Sequence, residues 1–172
     1  ERVFVARNAV APRPEKPPVE RPDEFMGRPG VLFVGRLQAR KRVDNLLHAC
    51  AALPEALQPR LWIVGDGPAR QEFEALAESI YPQAEFTGAR QGAELEAYFA
   101  AADVFVRPGT GGLAVQQAMS YGLPVVVAEA DGTQNDLVRK ENGWLIPPDY
   151  LDALVEALQT AQEHPETVHL LL

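Results

Sequence analysis

A chain of 172 residues with 47% hydrophobic and 23% charged side chains has the composition of one globular core. Its net charge of −8 excludes the basic footprint of a nucleic-acid surface, and its single cysteine, Cys50, excludes an internal disulfide and fits a reducing compartment. No apolar run approaches the ~20 residues that span a bilayer and no signal peptide is visible, so a soluble, cytoplasmic protein is expected.

At the N-terminus, Arg2 to Ala6 alternates enough for a short strand. Residues 11–30, APRPEKPPVERPDEFMGRPG, are dense in proline and charge, which predicts a linker, so 1–30 is expected to be an entry strand plus linker. Beyond it, short apolar runs at Val31–Val34, Leu61–Val64, Val104–Val106, Val125–Val127 and Trp144–Ile146 predict strands covered on both faces. A weaker strand is expected at Ala84–Thr87. Between and after them, apolar residues recur at i, i+3, i+4 and i+7, the spacing of a helix face. The sets are Val43, Leu46, Leu47, Cys50; Phe73, Leu76, Ala77, Ile80; Leu95, Tyr98, Phe99, Ala102; and Leu151, Leu154, Val155, Leu158. Cys50 therefore faces a core, and a reactive or metal-bound thiol is not expected. The alternation of strand and helix with short joins predicts an open parallel α/β sheet over residues 31–163. Residues 164–172 end on HLLL, an apolar tail, and the whole is expected to be an excised domain.

In such sheets ligands bind beyond the carboxyl ends of the strands. The loops at those ends hold Gly35-Arg36-Leu37 with Arg40-Lys41-Arg42, then Gly65-Asp66-Gly67-Pro68, Gly88-Ala89-Arg90, and Glu129-Ala130-Asp131-Gly132. The opposite joins, such as Ala52 to Pro59, are plain turns, so glycine and charge gather on one rim. The central stretch from Arg107 to Pro124, RPGTGGLAVQQAMSYGLP, predicts a strand end, a glycine turn, a helix over Leu113–Tyr121 and a left-handed stop at Gly122. Gly109, Gly111 and Gly112 allow a tight turn and a close approach to main-chain N–H groups, and a helix N-terminus favours phosphate. Gln117 leans back toward that end. Arg36 sits on a strand end, where an arginine fork with a nearby lysine suits a diphosphate. Arg40 and Arg42 are expected to be a solvated basic turn. Pro68 fits the first position of a helix, and Gly65 and Gly67 fit a tight turn. Neither GxGxxG nor GxxxxGK[ST] is present, which disfavours a dehydrogenase or a P-loop enzyme. No HExxH or CxxC pattern points to a metal, and His48, His164 and His169 are isolated.

Taken in order, GRL…K, IVGDGPAR, FTGAR, LEAYFAAADVFVRPG, GLAVQQAMSYGLPVV and DLV…NGWLIPPD resemble the C-terminal domain of GT-B glycosyltransferases, family 4 in particular, over residues 30–155. The resemblance implies a Rossmann-like open parallel sheet flanked by helices that binds the nucleotide of a nucleoside-diphosphate sugar. It implies a retaining hexosyl transfer in polysaccharide biosynthesis, with no cofactor and no metal. A glycan or lipid-linked acceptor would be held by a separate N-terminal domain, and peripheral membrane attachment of the whole enzyme is compatible with it. Arg36 and Lys41 match the pair that stabilises the leaving diphosphate. The implied donor-binding set is Gly35, Arg36, Lys41, Gly65, Arg90, Gly109, Thr110, Gly111, Gly112, Leu113 and Gln117, with Ala89 beside Arg90 at the base. Asp136 falls where the family often has a glutamate. Two departures stand out: the family's two glutamates, eight positions apart, fall on Gly109 and Gln117. Either this is a variant turn or transfer has been lost. A degenerate sugar-nucleotide-binding scaffold is the alternative reading, and an epimerase of the same architecture would need cleft histidines that the rim lacks.

Overall fold

The six apolar runs form a single parallel sheet in the computed structural model, which describes residues 28–111, 113–129, 136–140 and 142–163. The strands are β1 Gly30–Val34, β2 Arg60–Val64, β3 Ala84–Gly88, β4 Val104–Arg107, β5 Val125–Ala128 and β6 Gly143–Ile146. The helices are α1 Val43–Ala52, α2 Arg70–Ile80, α3 Gly92–Ala101, α4 Leu113–Ser120 and α5 Leu151–Glu163. The spatial order is β3-β2-β1-β4-β5-β6. The chain builds outward from β1 in one direction, then returns beside β1 with β4 and builds the other way. The reversal leaves a crevice between the ends of β1 and β4, where doubly wound sheets bind ligands.

Two-residue alternation along the strands divides the core into two layers. Val31 and Phe33 pack with α1, α2 and α5, among Leu46, Leu47, Phe73 and Leu158. Leu32 faces the other way with Trp62, Phe105 and the residues of α3 and α4, including Phe99, Val115 and Ala118. Both faces are covered, so the central strands are apolar throughout, as a parallel sheet requires. The edge strand β3 is half-buried along its length, which explains its weaker sequence pattern. Cys50 is buried in the first layer, and burial raises its thiol pKa.

Several boundaries differ from the sequence expectation for local physical reasons. Gly30 belongs to β1 rather than to the linker: it pairs with Arg60, and its N–H donates to the Asp103 carboxylate at 2.7 Å. Pro68 lies in a turn two residues ahead of α2, closed by Arg70 N–H to Gly67 O at 3.1 Å, so it does not open the helix. The Ala52–Pro59 join contains a 3-10 turn at Glu55–Leu57. The expected strand at Arg2–Ala6, the linker up to residue 27 and the tail 164–172 lie outside the described residues. No helix among the described residues is long and apolar enough to cross a membrane.

Helix α4 ends as its sequence requires. Leu123 N–H reaches Ala118 O at 3.1 Å and Gly122 N–H reaches Met119 O at 2.9 Å, the paired bonds of a Schellman cap. Gly122 has φ 72°, and a Cβ there would meet open space. Replacement by alanine therefore tests conformation alone. Gly122→Ala is expected to cost about 1–2 kcal/mol, read by equilibrium urea unfolding.

Candidate functional site

The rim of the crevice begins where β1 runs out. Gly35 N–H donates to Val64 O at 3.0 Å, Leu37 N–H to Asp66 O at 2.9 Å, and Ala69 N–H to Leu37 O at 3.1 Å. These bonds bind the loop after β1 to the loop after β2. Gly65, at φ 148°, lies so close under the Gly35 carbonyl that a Cβ would collide with it. Gly65 is thus explained by this contact, while a Cβ on Gly35 would meet the Arg107 guanidinium. Leu37 is buried, and Arg36 between two anchored neighbours points outward and is exposed.

The next contact joins the first crossover to the fourth. After a 3-10 turn at Ala39–Lys41, the chain passes through Arg42 at φ 53° into α1. Lys41 is 7% exposed, and its Nζ donates to Thr110 O and Gly111 O, both at 3.0 Å. Arg40 O accepts from Thr110 N–H at 3.2 Å, while Arg40 Nη1 donates to Thr110 Oγ1 at 3.2 Å. Gly109 lies beneath this turn: a Cβ there would collide with Arg40 O and stand 2.7 Å from Lys41 Cα. The structure therefore brings Lys41, Gly109, Thr110 and Gly111 together.

Two expectations about the glycine turn need correction. Gly109 admits the protein's own backbone at Arg40–Lys41 instead of a ligand, and it is buried. The Thr110 N–H is engaged by Arg40 O, so it is not a phosphate donor in this arrangement. Leu113, at the head of α4, is 55% exposed, and its helix leaves first-turn amides without intrahelical partners. Gln117 is half-buried one turn farther on, and Gly112 lies outside the described residues. Arg90 is exposed beyond β3, separated from β1 by β2, which puts it at the far end of the rim. Asp136 is exposed beyond β5.

Arg42 also departs from expectation. It is ion-paired with Asp44 at 3.2 Å and with Asp149, and hydrogen-bonds Asn45 at 2.9 Å, so it is a bracket and not a solvated turn residue. Asp149 follows β6 with φ 61°, which makes a left-handed residue at each end of this pair. Between Arg40, Gly109, Thr110, Glu129 and Asp149 a cleft of about 530 Å³ opens. Of the predicted donor residues its wall takes Gly109 and Thr110, and leaves out Gly35, Arg36, Lys41, Gly65, Arg90, Gly111, Leu113 and Gln117. Its carboxylates, Glu129 and Asp149, stand just past strand ends. That position is the sequence signal that could have marked them.

Arg107 is the residue that sequence reasoning passed over. It is 2% exposed at the end of β4, with Nη2 donating to Val34 O at 2.7 Å and the guanidinium 5.2 Å from the Phe33 ring centroid. Burial, with the neighbouring Arg40 charge adding to it, lowers its pKa to about 10, so it is charged at neutral pH. The signal was available: a lone charge closing the apolar run Val104–Val106.

The distribution of ion pairs sets this corner apart. Arg60 pairs with Glu85, and Arg70 with Asp66 and Glu74. Arg36, Arg40 and Arg107 meet no carboxylate among the described residues. In a chain of net charge −8, Arg36, Arg40 and the buried Arg107 thus gather beside the ends of β1 and β4, with Glu129 and Asp149 on the wall of the cleft that Arg40 lines. Among the described residues no group of three or more His, Cys, Asp or Glu could hold a metal ion.

A family model described as Glycosyl transferases group 1 matches residues 28–164. The sulfoquinovosyl transferase of Arabidopsis thaliana is 38% identical over 146 residues, 81% of this chain and 28% of that protein. A GDP-mannose-dependent alpha-mannosyltransferase of Mycobacterium tuberculosis is 43% identical over 126 residues, 70% of this chain and 31% of that protein. The chain spans less than a third of the length of these two relatives. Among solved structures, Anabaena HepE in complex with UDP-glucose superposes with a TM-score of 0.75 at 25% identity, covering 85% of this chain and 42% of that one.

The contact at Gly109 can be tested directly. Gly109→Ala is expected to push the Ala39–Lys41 turn off the glycine turn and to cost about 1–3 kcal/mol in thermal unfolding. Gly109→Glu should cost at least as much. Full stability in either variant would show that the two crossovers are not seated on each other.

Proposed function

Because this chain belongs to the glycosyl transferases group 1 family, we propose that it is the donor-binding domain of a retaining, metal-independent glycosyltransferase. The donor is a nucleoside-diphosphate sugar. The acceptor is a hydroxyl of a glycan or a lipid-linked sugar, held by an N-terminal domain outside this chain. Cytoplasmic work, peripheral at a membrane where the acceptor is lipid-linked, fits that chemistry.

One observation carries the reading: Lys41 Nζ bonded to Thr110 O and Gly111 O, which unites the cationic crossover with the head of α4. In the reaction the bond between the sugar's anomeric carbon and the diphosphate oxygen breaks, and negative charge grows on the departing phosphate. Arg36, Lys41 and the first amides of α4 are the groups disposed to stabilise that charge. The acceptor oxygen forms the new bond on the face the diphosphate leaves, and its proton passes to the departing phosphate oxygen. Positive charge from arginine and lysine takes the part that a divalent ion plays elsewhere, which supports metal independence. The GDP-mannose dependence of one relative and the UDP-glucose bound to HepE support a nucleotide-sugar donor without choosing the base.

A second reading is favoured by Gly109. The family's sugar-contacting glutamate would fall where the Arg40–Lys41 backbone now lies, so the position cannot regain it without moving the turn. That favours a protein which binds the donor without transferring its sugar. Full-length protein that binds donor yet neither hydrolyses nor transfers it would decide for this second reading.

A thermal-shift panel of nucleoside diphosphates and sugar nucleotides tests the donor site itself, with stabilisation by at least one base series expected. Arg36→Ala is expected to weaken UDP or GDP binding by about 10- to 150-fold in calorimetry, the loss of one charge-assisted contact. Unchanged affinity would remove Arg36 from the site. EDTA should leave the affinity unaltered, and a loss on chelation would overturn metal independence.

A further inference from the structure

Arg107 stands at the switch point between β1 and β4, and nothing so far gives it a task. Its side chain runs from the last residue of β4 to the last residue of β1, where Nη2 donates to Val34 O at 2.7 Å. Nη1 lies 2.9 Å from where a Cβ on Gly35 would stand, so the guanidinium lies directly beneath the residue that precedes Arg36. Two positions after Arg107, Gly109 carries the turn that holds Lys41. The charge is thus buried at the centre of the corner whose surface bears Arg36 and Arg40.

Its bonding is incomplete. Nε and Nη1 are buried without a hydrogen-bond partner, and no carboxylate among the described residues approaches it. Structural arginines in this molecule look different: Arg60 and Arg70 each meet an acid. A buried cation with one backbone acceptor is a poor stabilising device, because its desolvation is not offset by a counter-charge. The Arg40 charge nearby makes that worse. Such a group persists where the compensating charge arrives with a ligand.

We propose that Arg107 is a buried positioning charge for the phosphates of a nucleoside diphosphate, acting from beneath Gly35 and without touching the ligand. Its hydrogen bond to Val34 O fixes the strand end from which Gly35 and Arg36 project. Its charge adds to the field of Arg36 and Lys41 through protein interior, where screening is weaker than in water. The assignment rests on the donor-site reading above, and it adds a residue from inside the sheet to a site otherwise made by loops.

Three proteins test it: wild type, Arg107→Met, which keeps the bulk and removes the charge, and Arg107→Lys, which keeps the charge. UDP and GDP are the charged probes, and uridine and guanosine the neutral ones, with affinities from calorimetry and melting temperatures alongside. Arg107→Met is expected to lose about tenfold or more in diphosphate affinity, to hold nucleoside affinity within about twofold, and to melt about 2–4 °C higher without ligand. Arg107→Lys, which keeps the charge, should keep diphosphate affinity within about threefold of wild type. Diphosphate affinity unchanged in Arg107→Met would overturn the assignment, and so would equal losses for diphosphate and nucleoside. If Arg107→Met does not fold, Arg107→Gln, which keeps a donor for Val34 O and removes the charge, takes its place: a loss of about tenfold confined to the diphosphates supports the assignment and unchanged diphosphate affinity refutes it. Wild type that binds neither UDP nor GDP would instead refute the donor-site reading, so the two failures are separable.

Discussion

The ammonium of Lys41, held between the carbonyl oxygens of Thr110 and Gly111, is the contact on which the rim depends. It bonds two half-buried carbonyls from a turn that lies on Gly109. Removing the ammonium takes away two charge-assisted hydrogen bonds at once. The arrangement is a backbone-on-backbone stack: Gly65 under Gly35, Gly67 under Leu37 and Gly109 under Arg40. Each stack permits an approach that any side chain would block. The loops after β1, β2 and β4 therefore form one continuous surface in place of three separate turns.

That stacking also explains how charge comes to be concentrated there. Arg36 is exposed because both of its neighbours are anchored to other loops. Lys41 is buried because its turn is pressed against the next crossover. Arg107 is buried because β4 ends one residue beyond its apolar run and the chain turns over it. A net-negative molecule thereby presents cations at one crevice, while Arg42, Arg60 and Arg70 meet acids close by.

Much of this was legible from residues alone. Strand and helix positions followed from apolar spacing because the sheet is parallel and covered on both sides, so every central strand is a plain apolar run. Gly122 was readable because a left-handed helix stop has few other solutions. The Gly109 contact was not readable: a glycine that admits a ligand and one that admits the protein's own backbone have the same one-letter code. Arg107 was overlooked for a related reason. Its importance lies in what it fails to meet, and missing partners become visible only when the neighbours have positions. Arg42 shows the reverse error. Its fellow cations made it look solvated, whereas Asp149, far along the chain, holds it.

That last pair has a kinetic consequence. Arg42 opens the first helix and Asp149 follows the final strand, so the bracket between them closes only once the segment after β6 is in place. Contacts between remote parts of a chain are slow to form. The bracket that ties the start of α1 to the segment after β6 is therefore among the last contacts to close as the chain folds.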